Sequence, residues 1–233
     1  SLGCIKATKN GFGVTGIAYG GTTYVYNTGQ LSKILADAHS GDIVSLDIQY
    51  KGCNTWYPFD FSLSNWNLIK NAADSGVIVI LAAGNGGNNL DTSSCGSLTY
   101  HGDHGGMQVG AGSSSSLNRL SFSNYGKQVM INSWGQNVTT TGYGDLHGQS
   151  KGPQSYTSTY GGTSSATPLC AGALALIQSY SKTVYKVTLN GKTMRSLLQS
   201  TGNISAGQNI GVRPDVKNAM MKLDEMYGNI PII

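Results

Sequence analysis

Residues 77–83, VIVILAA, restrict the fold of this chain more than any other segment. The run is too short to cross a bilayer, which takes about 20 apolar residues. It contains no polar position that would face water, so it does not fit a strand with one exposed face. The run therefore predicts a parallel strand buried on both faces. It ends at residues 84–87, GNGG, where we expect a tight turn.

Helical patterns alternate with strands of this kind. Residues 64–74 have a helical pattern in which polar positions interrupt four apolar side chains that are available for burial: Trp66, Leu68, Ile69 and Ala72. Residues 166–180 are apolar nearly all round, which predicts a buried central helix. This alternation favours an α/β fold in which a mostly parallel sheet is covered by helices on both faces. No linker or internal repeat divides the 233 residues, so we expect a single domain.

Composition and charge argue against two classes of partner. Charged residues make up 11% of the chain, against about 25% in typical soluble domains, and the net charge is +4. Because the lysines are dispersed and no basic stripe carries interleaved aromatic residues, we expect no nucleic-acid partner. No apolar run approaches the length of a membrane span, so we expect no membrane association. The low charge suits a secreted, extracellular protein whose export signal lies upstream of Ser1.

The four cysteines allow three complete pairings. Cys53 and Cys95 lie in polar segments that follow adjacent predicted strands, so we expect a disulfide between them. Cys4 and Cys170 lie in apolar helical contexts. We expect them to be buried thiols that act as small core residues, with a second disulfide as the alternative.

A serine in residues 162–168, GTSSATP, is the first candidate functional residue. Ser164 follows a glycine-rich turn and precedes an apolar helical run. A hydroxyl in this place lies at a helix N-terminus, where backbone donors favour a developing negative charge. The alternative is structural, because serine and threonine are also common caps of ordinary helices.

Asn85, at the end of the buried strand, is the second candidate. A carboxamide there can donate to an oxyanion, whereas the alternative is a turn asparagine that tolerates positive φ. Together, the two segments resemble the subtilisin-like serine peptidases, in which a Gly-Thr-Ser-x-Ala-x-Pro segment carries the nucleophile. In that family, the asparagine of an Ala-Ala-Gly-Asn segment completes the oxyanion hole. The resemblance implies that Ser164 is the nucleophile and that Asn85 stabilises the oxyanion.

The same resemblance assigns substrate-binding residues. Residues 42–47, DIVSLD, resemble the strand whose end forms one wall of the family's primary specificity pocket, and this implies a role for Ser45, Leu46 and Asp47. The facing wall would be formed by Ala82, Ala83 and Gly84. The family usually has a small residue where this chain has Asp47. A carboxylate there would favour a basic substrate side chain, unless it points to solvent.

Other segments follow in the order of the family. Residues 10–20, NGFGVTGIAYG, resemble the turn and strand after its catalytic-histidine helix, and residues 194–201 and 214–223 resemble its two closing helices. The implied architecture is the three-layer subtilisin-like fold, with a mostly parallel sheet and helices on both faces.

This chain departs from the family pattern at its start. The family's catalytic Asp and His precede the segment that resembles residues 10–20, and the His would fall a few residues before Ser1. We therefore expect residues 1–233 to be the C-terminal major part of a single catalytic domain whose N-terminal portion is missing here. The Asp and His are expected on a separate N-terminal segment, a candidate partner from the same precursor.

The four histidines do not offer an obvious replacement for that base. His39 follows a short amphipathic stretch and His147 lies in a loop, so we expect both to be exposed. The segment 100–106, YHGDHGG, suggests a metal site through His101, Asp103 and His104, but its glycines favour a flexible loop without a metal. We expect no cofactor, and structural calcium cannot be assigned to particular residues.

Two functions are compatible with these observations. In the first, the chain is part of a serine endopeptidase that cleaves protein or peptide substrates through an acyl-enzyme. In the second, a subtilisin-like scaffold without peptidase activity binds a carbohydrate or protein ligand, and Ser164 is only a helix cap. A fragment that carries the missing His and copurifies with this chain would favour the first.

Overall fold

The computed structural model describes residues 1–92, Cys95, 101–148 and 154–228. Its strands, in chain order, are β1 (Ile43–Leu46), β2 (Gln49–Gly52), β3 (Thr55–Pro58), β4 (Ile78–Ala82), β5 (Met107–Gly112), β6 (Val129–Trp134), β7 (Val138–Thr141), β8 (Tyr156–Tyr160), β9 (Asn203–Ile204) and β10 (Val212–Arg213). Six of these strands form the central sheet, in the order β1-β4-β5-β6-β10-β9. All pairs in it are parallel except β10 with β9. Two antiparallel hairpins, β2–β3 and β7–β8, stand apart from it.

Helices cover both faces of the central sheet. They are α1 (Leu2–Lys6), α2 (Leu31–Asp37), α3 (Leu63–Asp74), α4 (Thr163–Tyr180), α5 (Gly191–Thr201) and α6 (Val216–Tyr227). Helices α4, α5 and α6 pack on one face of the sheet, where Ile78 and Ile80 of β4 point. Helices α2 and α3 pack on the other face, where Val79 and Leu81 point. The result is a three-layer α/β arrangement, as predicted.

The apolar run that predicted a doubly buried strand forms β4. All five of its residues are buried, because successive side chains enter opposite cores. Helix α4 includes the predicted central helix and begins three residues earlier, at Thr163. The two closing helices are also present, as α5 and α6.

The strand predicted within residues 10–20 does not form. Its backbone N–H groups bond to helix α1 and to the residue that follows it: Ile17 donates to the carbonyl of Cys4 at 2.9 Å, and Gly16 donates to that of Ala7 at 2.8 Å. A Cβ on Gly16 would lie 2.4 Å from the backbone nitrogen of Lys6, so the close approach depends on glycine. The segment is therefore irregular structure held against α1.

The cysteine predictions are confirmed. Cys53 and Cys95 form a disulfide, and Cys53 lies in the turn of the β2–β3 hairpin. Cys4 and Cys170 are buried free thiols, and burial raises the pKa of both. In the part of the chain that the structure describes, no helix combines the length and apolarity needed to cross a membrane.

Candidate active site

The predicted site residues gather at the carboxyl ends of β1 and β4. The two strands pair in parallel, with Leu46 opposite Leu81, so Asp47 and Ala82 follow at the same edge of the sheet. Ser45 and Leu46 lie in β1, and Ala83 and Gly84 continue from β4 into the turn that contains Asn85. The two predicted pocket walls are therefore neighbouring segments at one edge, the usual place for ligands in a parallel sheet.

Ser164 lies in the first turn of α4. Gly162 caps the helix with φ +91°, a conformation that strains other residues. Within the described residues the backbone N–H of Ser164 has no acceptor, because it precedes the first N–H that bonds back into the turn. A free N–H at a helix N-terminus, next to a hydroxyl, favours a negative charge at that point.

The Asn85 side chain is held by the residue that precedes Ser164. Its Oδ1 accepts from the backbone N–H of Thr163 at 2.9 Å and from the Thr163 hydroxyl at 3.0 Å. The same hydroxyl oxygen accepts from the N–H of Gly84 at 3.2 Å. Since Oδ1 is occupied in this way, the Nδ2 group of Asn85 is turned toward Gly162 as a donor.

Two hydrogen-bond donors converge beside Gly162. A Cβ built on Gly162 would lie 3.1 Å from Nδ2 of Asn85 and 3.6 Å from the backbone nitrogen of Ser164. Neither donor has an acceptor within the described residues. A carboxamide and a helix N-terminal amide placed near one point are the kinds of donor that an oxyanion requires. A side chain at position 162 would crowd the Asn85 carboxamide.

The carbonyl of Ser164 has a partner outside its helix. Pro168, four residues further on, has no N–H to bond this carbonyl. The Tyr160 hydroxyl donates to it instead. Because that proton is used, the Ser1 hydroxyl, at 2.7 Å, donates to the Tyr160 oxygen. Burial raises the pKa of Tyr160, so its hydroxyl remains a donor.

Asp47 is half-buried at the same edge. Its Oδ1 accepts from the Ser45 hydroxyl at 2.6 Å. Desolvation raises its pKa, and the hydrogen bonds from the Ser45 and Ser1 side chains oppose that shift only in part. No ion pair of the described residues includes Asp47. It is therefore a carboxylate with reduced hydration that forms no ion pair with a side chain of the described residues.

None of the four histidines has a hydrogen bond to Ser164 within the described residues. His39 and His147 are exposed, as predicted; His39 lies near Asp42, and His147 packs against the rings of Phe12 and Tyr156. His101 packs against Trp66.

His104 corrects the prediction of a flexible loop. It is 4% exposed; its Nε2 lies 2.6 Å from Oδ2 of the fully buried Asp60, and its Nδ1 accepts from the N–H of Gly106. Asp103, the second residue of the suggested metal set, pairs with Arg195 instead. The described residues hold no group of three or more His, Cys, Asp or Glu that could bind a metal.

Three contributors to the site were missed from sequence. The supporting role of Thr163 was open to inference, because it lies inside the GTSSATP segment. The Tyr160 contact could be predicted in part. Proline four residues after Ser164 indicates a carbonyl without a helical donor, but the sequence does not indicate that Tyr160 supplies the donor. Gln49, whose Oε1 accepts from the backbone N–H of Asn85 at 2.9 Å, carries no signal in the sequence.

Comparisons with known proteins show which proteins this chain resembles. The chain is 30% identical over 185 residues to Subtilisin Savinase of Lederbergia lenta, an alignment that covers 76% of this chain and 60% of that protein. It is 31% identical over 186 residues to Subtilisin E of Bacillus subtilis, covering 76% of this chain and 44% of that protein. The chain thus spans about half the length of these relatives.

Solved structures show the same fold. A protease from Pseudoalteromonas arctica superposes with a TM-score of 0.70 at 22% identity, over 95% of this chain and 69% of that one. The PatA protease domain superposes with a TM-score of 0.66 at 20% identity, over 98% and 80%. The sequence model of the Subtilase family matches residues 3–229, nearly the whole chain. The chain therefore belongs to the subtilase family of subtilisin-like serine peptidases.

Proposed function

We propose that this chain is the nucleophile-bearing part of a serine endopeptidase that cleaves protein or peptide substrates. The observation that carries the proposal is the placement of two donors without acceptors among the described residues, Asn85 Nδ2 and the Ser164 N–H, beside Gly162. An ordinary helix cap needs no such second donor. Relatives named as subtilisins and alkaline proteases support the same activity.

In this proposal, the Ser164 hydroxyl oxygen attacks the carbonyl carbon of the scissile peptide bond. A general base takes the hydroxyl proton and returns it to the leaving amine, and an acyl-enzyme remains on Ser164. The carbonyl oxygen, now negatively charged, accepts from Asn85 Nδ2 and from the Ser164 N–H. Water then attacks the acyl carbon, the base takes a proton from the water and returns it to Oγ of Ser164, and the carboxylic acid product leaves.

We further propose that the base and its carboxylate partner come from sequence outside these 233 residues. Residues 1–233 would then form the C-terminal major part of one catalytic domain. Helix α1 packs against α4, and the Ser1 hydroxyl reaches Tyr160 beside the nucleophile, so chain that precedes α1 would enter at the site. Among the described strands none pairs with the outer side of β1, which leaves room for another strand.

Asp47 supports a finer proposal about substrates. Because no described side chain forms an ion pair with it, its carboxylate would pair with a basic substrate side chain in the pocket formed by 45–47 and 82–84. A peptide library assayed with the native protein and with Asp47→Asn tests this. Enrichment of Lys and Arg that the variant loses supports the proposal, and a native profile without it contradicts the proposal.

A second function is a binding protein on the same scaffold, for a carbohydrate or protein ligand. It is favoured by one observation: within the described residues, no histidine is placed to activate Ser164. We also propose that the protein acts outside the cell, as the low content of charged residues suggests.

The deciding experiment is peptide hydrolysis by the complete translation product that contains this chain. The native protein and Ser164→Ala are compared on the same peptides, with Ser158→Ala, on β8, as a matched serine control. Activity that is lost only in Ser164→Ala supports the peptidase. A folded native protein with no activity that depends on Ser164 favours the binding protein.

A further inference from the structure

The β2–β3 hairpin contacts the turn that contains Asn85 through one side chain. Gln49, the first residue of β2, lies two residues beyond Asp47, and its Oε1 accepts from the backbone N–H of Asn85 at 2.9 Å. This bond joins the segment after β1 to the turn after β4. It is distinct from the bonds of Thr163, which hold the side chain of Asn85 and leave its main chain free.

The main chain at Asn85 has little other support. Strand β4 ends at Ala82, and Gly84 has φ +92°, so the turn has left the parallel ladder before Asn85 is reached. The Asn85 N–H accordingly bonds to a side chain, because no strand carbonyl lies in register with it. If Gln49 is removed, this half-buried N–H loses its acceptor, and the peptide plane that carries Asn85 can rotate.

The hairpin that carries Gln49 is itself firmly attached. The carbonyl of Trp56 accepts from Nδ2 of Asn124 at 2.8 Å and from Nδ2 of Asn88 at 3.2 Å. The disulfide of Cys53 closes its tip to Cys95. The backbone that carries Gln49 is therefore held in place. A side chain that orients another group needs such support.

We propose that Gln49 is a positioning residue for the oxyanion donor: it holds the Asn85 main chain so that Nδ2 meets the negative charge of the transition state. The proposal rests on the proposed peptidase function. It differs from a packing role in one respect, since the effect of Gln49 must pass through the Asn85 side chain.

A double-mutant cycle in the complete protein tests this. Gln49→Met keeps the length of the side chain and removes the acceptor, and we expect kcat to fall about tenfold or more with KM nearly unchanged. In an Asn85→Ala background the same change should have almost no effect on kcat, because no donor is left to misplace. Lys51→Met, an exposed residue of the same strand, is the control and should match the native protein.

Hydrogen exchange at the Asn85 amide supplies a readout that does not need activity. We expect faster exchange in Gln49→Met than in native protein. If exchange is unchanged, or if Gln49→Met lowers kcat equally in both backgrounds, the positioning role is wrong. If the native protein has no activity that depends on Ser164, the proposed function fails, and the positioning role is wrong with it. Faster exchange in Gln49→Met would then show that Gln49 makes a structural hydrogen bond and nothing more.

Discussion

The candidate site depends on single hydrogen bonds that join residues distant in sequence. Oδ1 of Asn85 takes two bonds from Thr163, which lies 78 residues further along the chain. This occupancy decides that the Nδ2 end of the carboxamide is the end nearer to Gly162. One residue therefore controls the orientation of the proposed oxyanion donor, and changes at this scale should separate catalysis from folding.

Asn85→Ala should lower kcat by about 10²- to 10³-fold, a range obtained for an oxyanion-hole asparagine in a subtilisin, and should change KM little. The reason is that Nδ2 donates to a charge present in the transition state and absent from the bound substrate. Steady-state kinetics measure both constants. A rise in KM with kcat unchanged would mean that Asn85 binds substrate uniformly and does not stabilise the oxyanion.

Tyr160→Phe removes the hydroxyl that bonds the Ser164 carbonyl, whose helical donor is missing because of Pro168. We expect the free energy of unfolding to fall by about 1 kcal/mol, and by up to about 3 kcal/mol if water does not replace the hydroxyl. Urea unfolding measures this. Tyr143→Phe is the control, since Tyr143 is 61% exposed and contacts Tyr160 only through its ring. Equal loss in both variants would contradict the account.

Asp47→Asn should stabilise the protein at pH 7. Because burial raises the pKa of Asp47 in the folded state, folding favours its protonated form, and the ionised form weakens the fold as pH rises above the unfolded value of about 3.9. The advantage of Asn should therefore shrink as the pH falls toward that value. Urea unfolding of both proteins at pH 7 and pH 3.5 measures it. If Asp47→Asn raises the free energy of unfolding equally at both pH values, the stabilisation comes from packing and not from the charge of Asp47.

At the scale of elements, the short β2–β3 hairpin contacts the candidate site at several points. It follows the predicted pocket wall directly, reaches Asn85 through Gln49, and is tied to the turn after β4 by Asn88 and Asn124. Helix α4 is the opposite case: its burial against the sheet is extensive, and the candidate nucleophile lies in its first turn.

Replacement of Cys53 and Cys95 by serine should lower the free energy of unfolding by about 2–4 kcal/mol, since the disulfide closes a loop with a sequence separation of 42. Urea unfolding measures the change. Reductant should destabilise the native protein and leave the double variant unchanged, because Cys4 and Cys170 are free thiols. A reductant effect of the same size on both proteins would contradict this interpretation.

At the scale of the whole molecule, sequence patterns were sufficient for the layers, and the roles of Ser164 and Asn85 stay predictions. A run without polar positions predicted β4, and nearly uniform apolar composition predicted α4. Sequence patterns were insufficient where a residue contacts another residue that lies far along the chain. His104 was expected in a flexible loop because glycines surround it, yet Asp60, 44 residues earlier, meets its ring in the core. The strand expected within 10–20 was lost because α1 supplies nearer carbonyls.

The most direct test of the central claim, that Ser164 is an activated nucleophile, is intact-mass analysis after a fluorophosphonate probe. The complete translation product is labelled in its folded state, and the adduct is located by peptide mapping. We predict one adduct per molecule on Ser164, none in Ser164→Ala, and none on Ser165, whose hydroxyl donates to backbone carbonyls. A folded protein that takes up no probe, or takes it up at another residue, would contradict the claim.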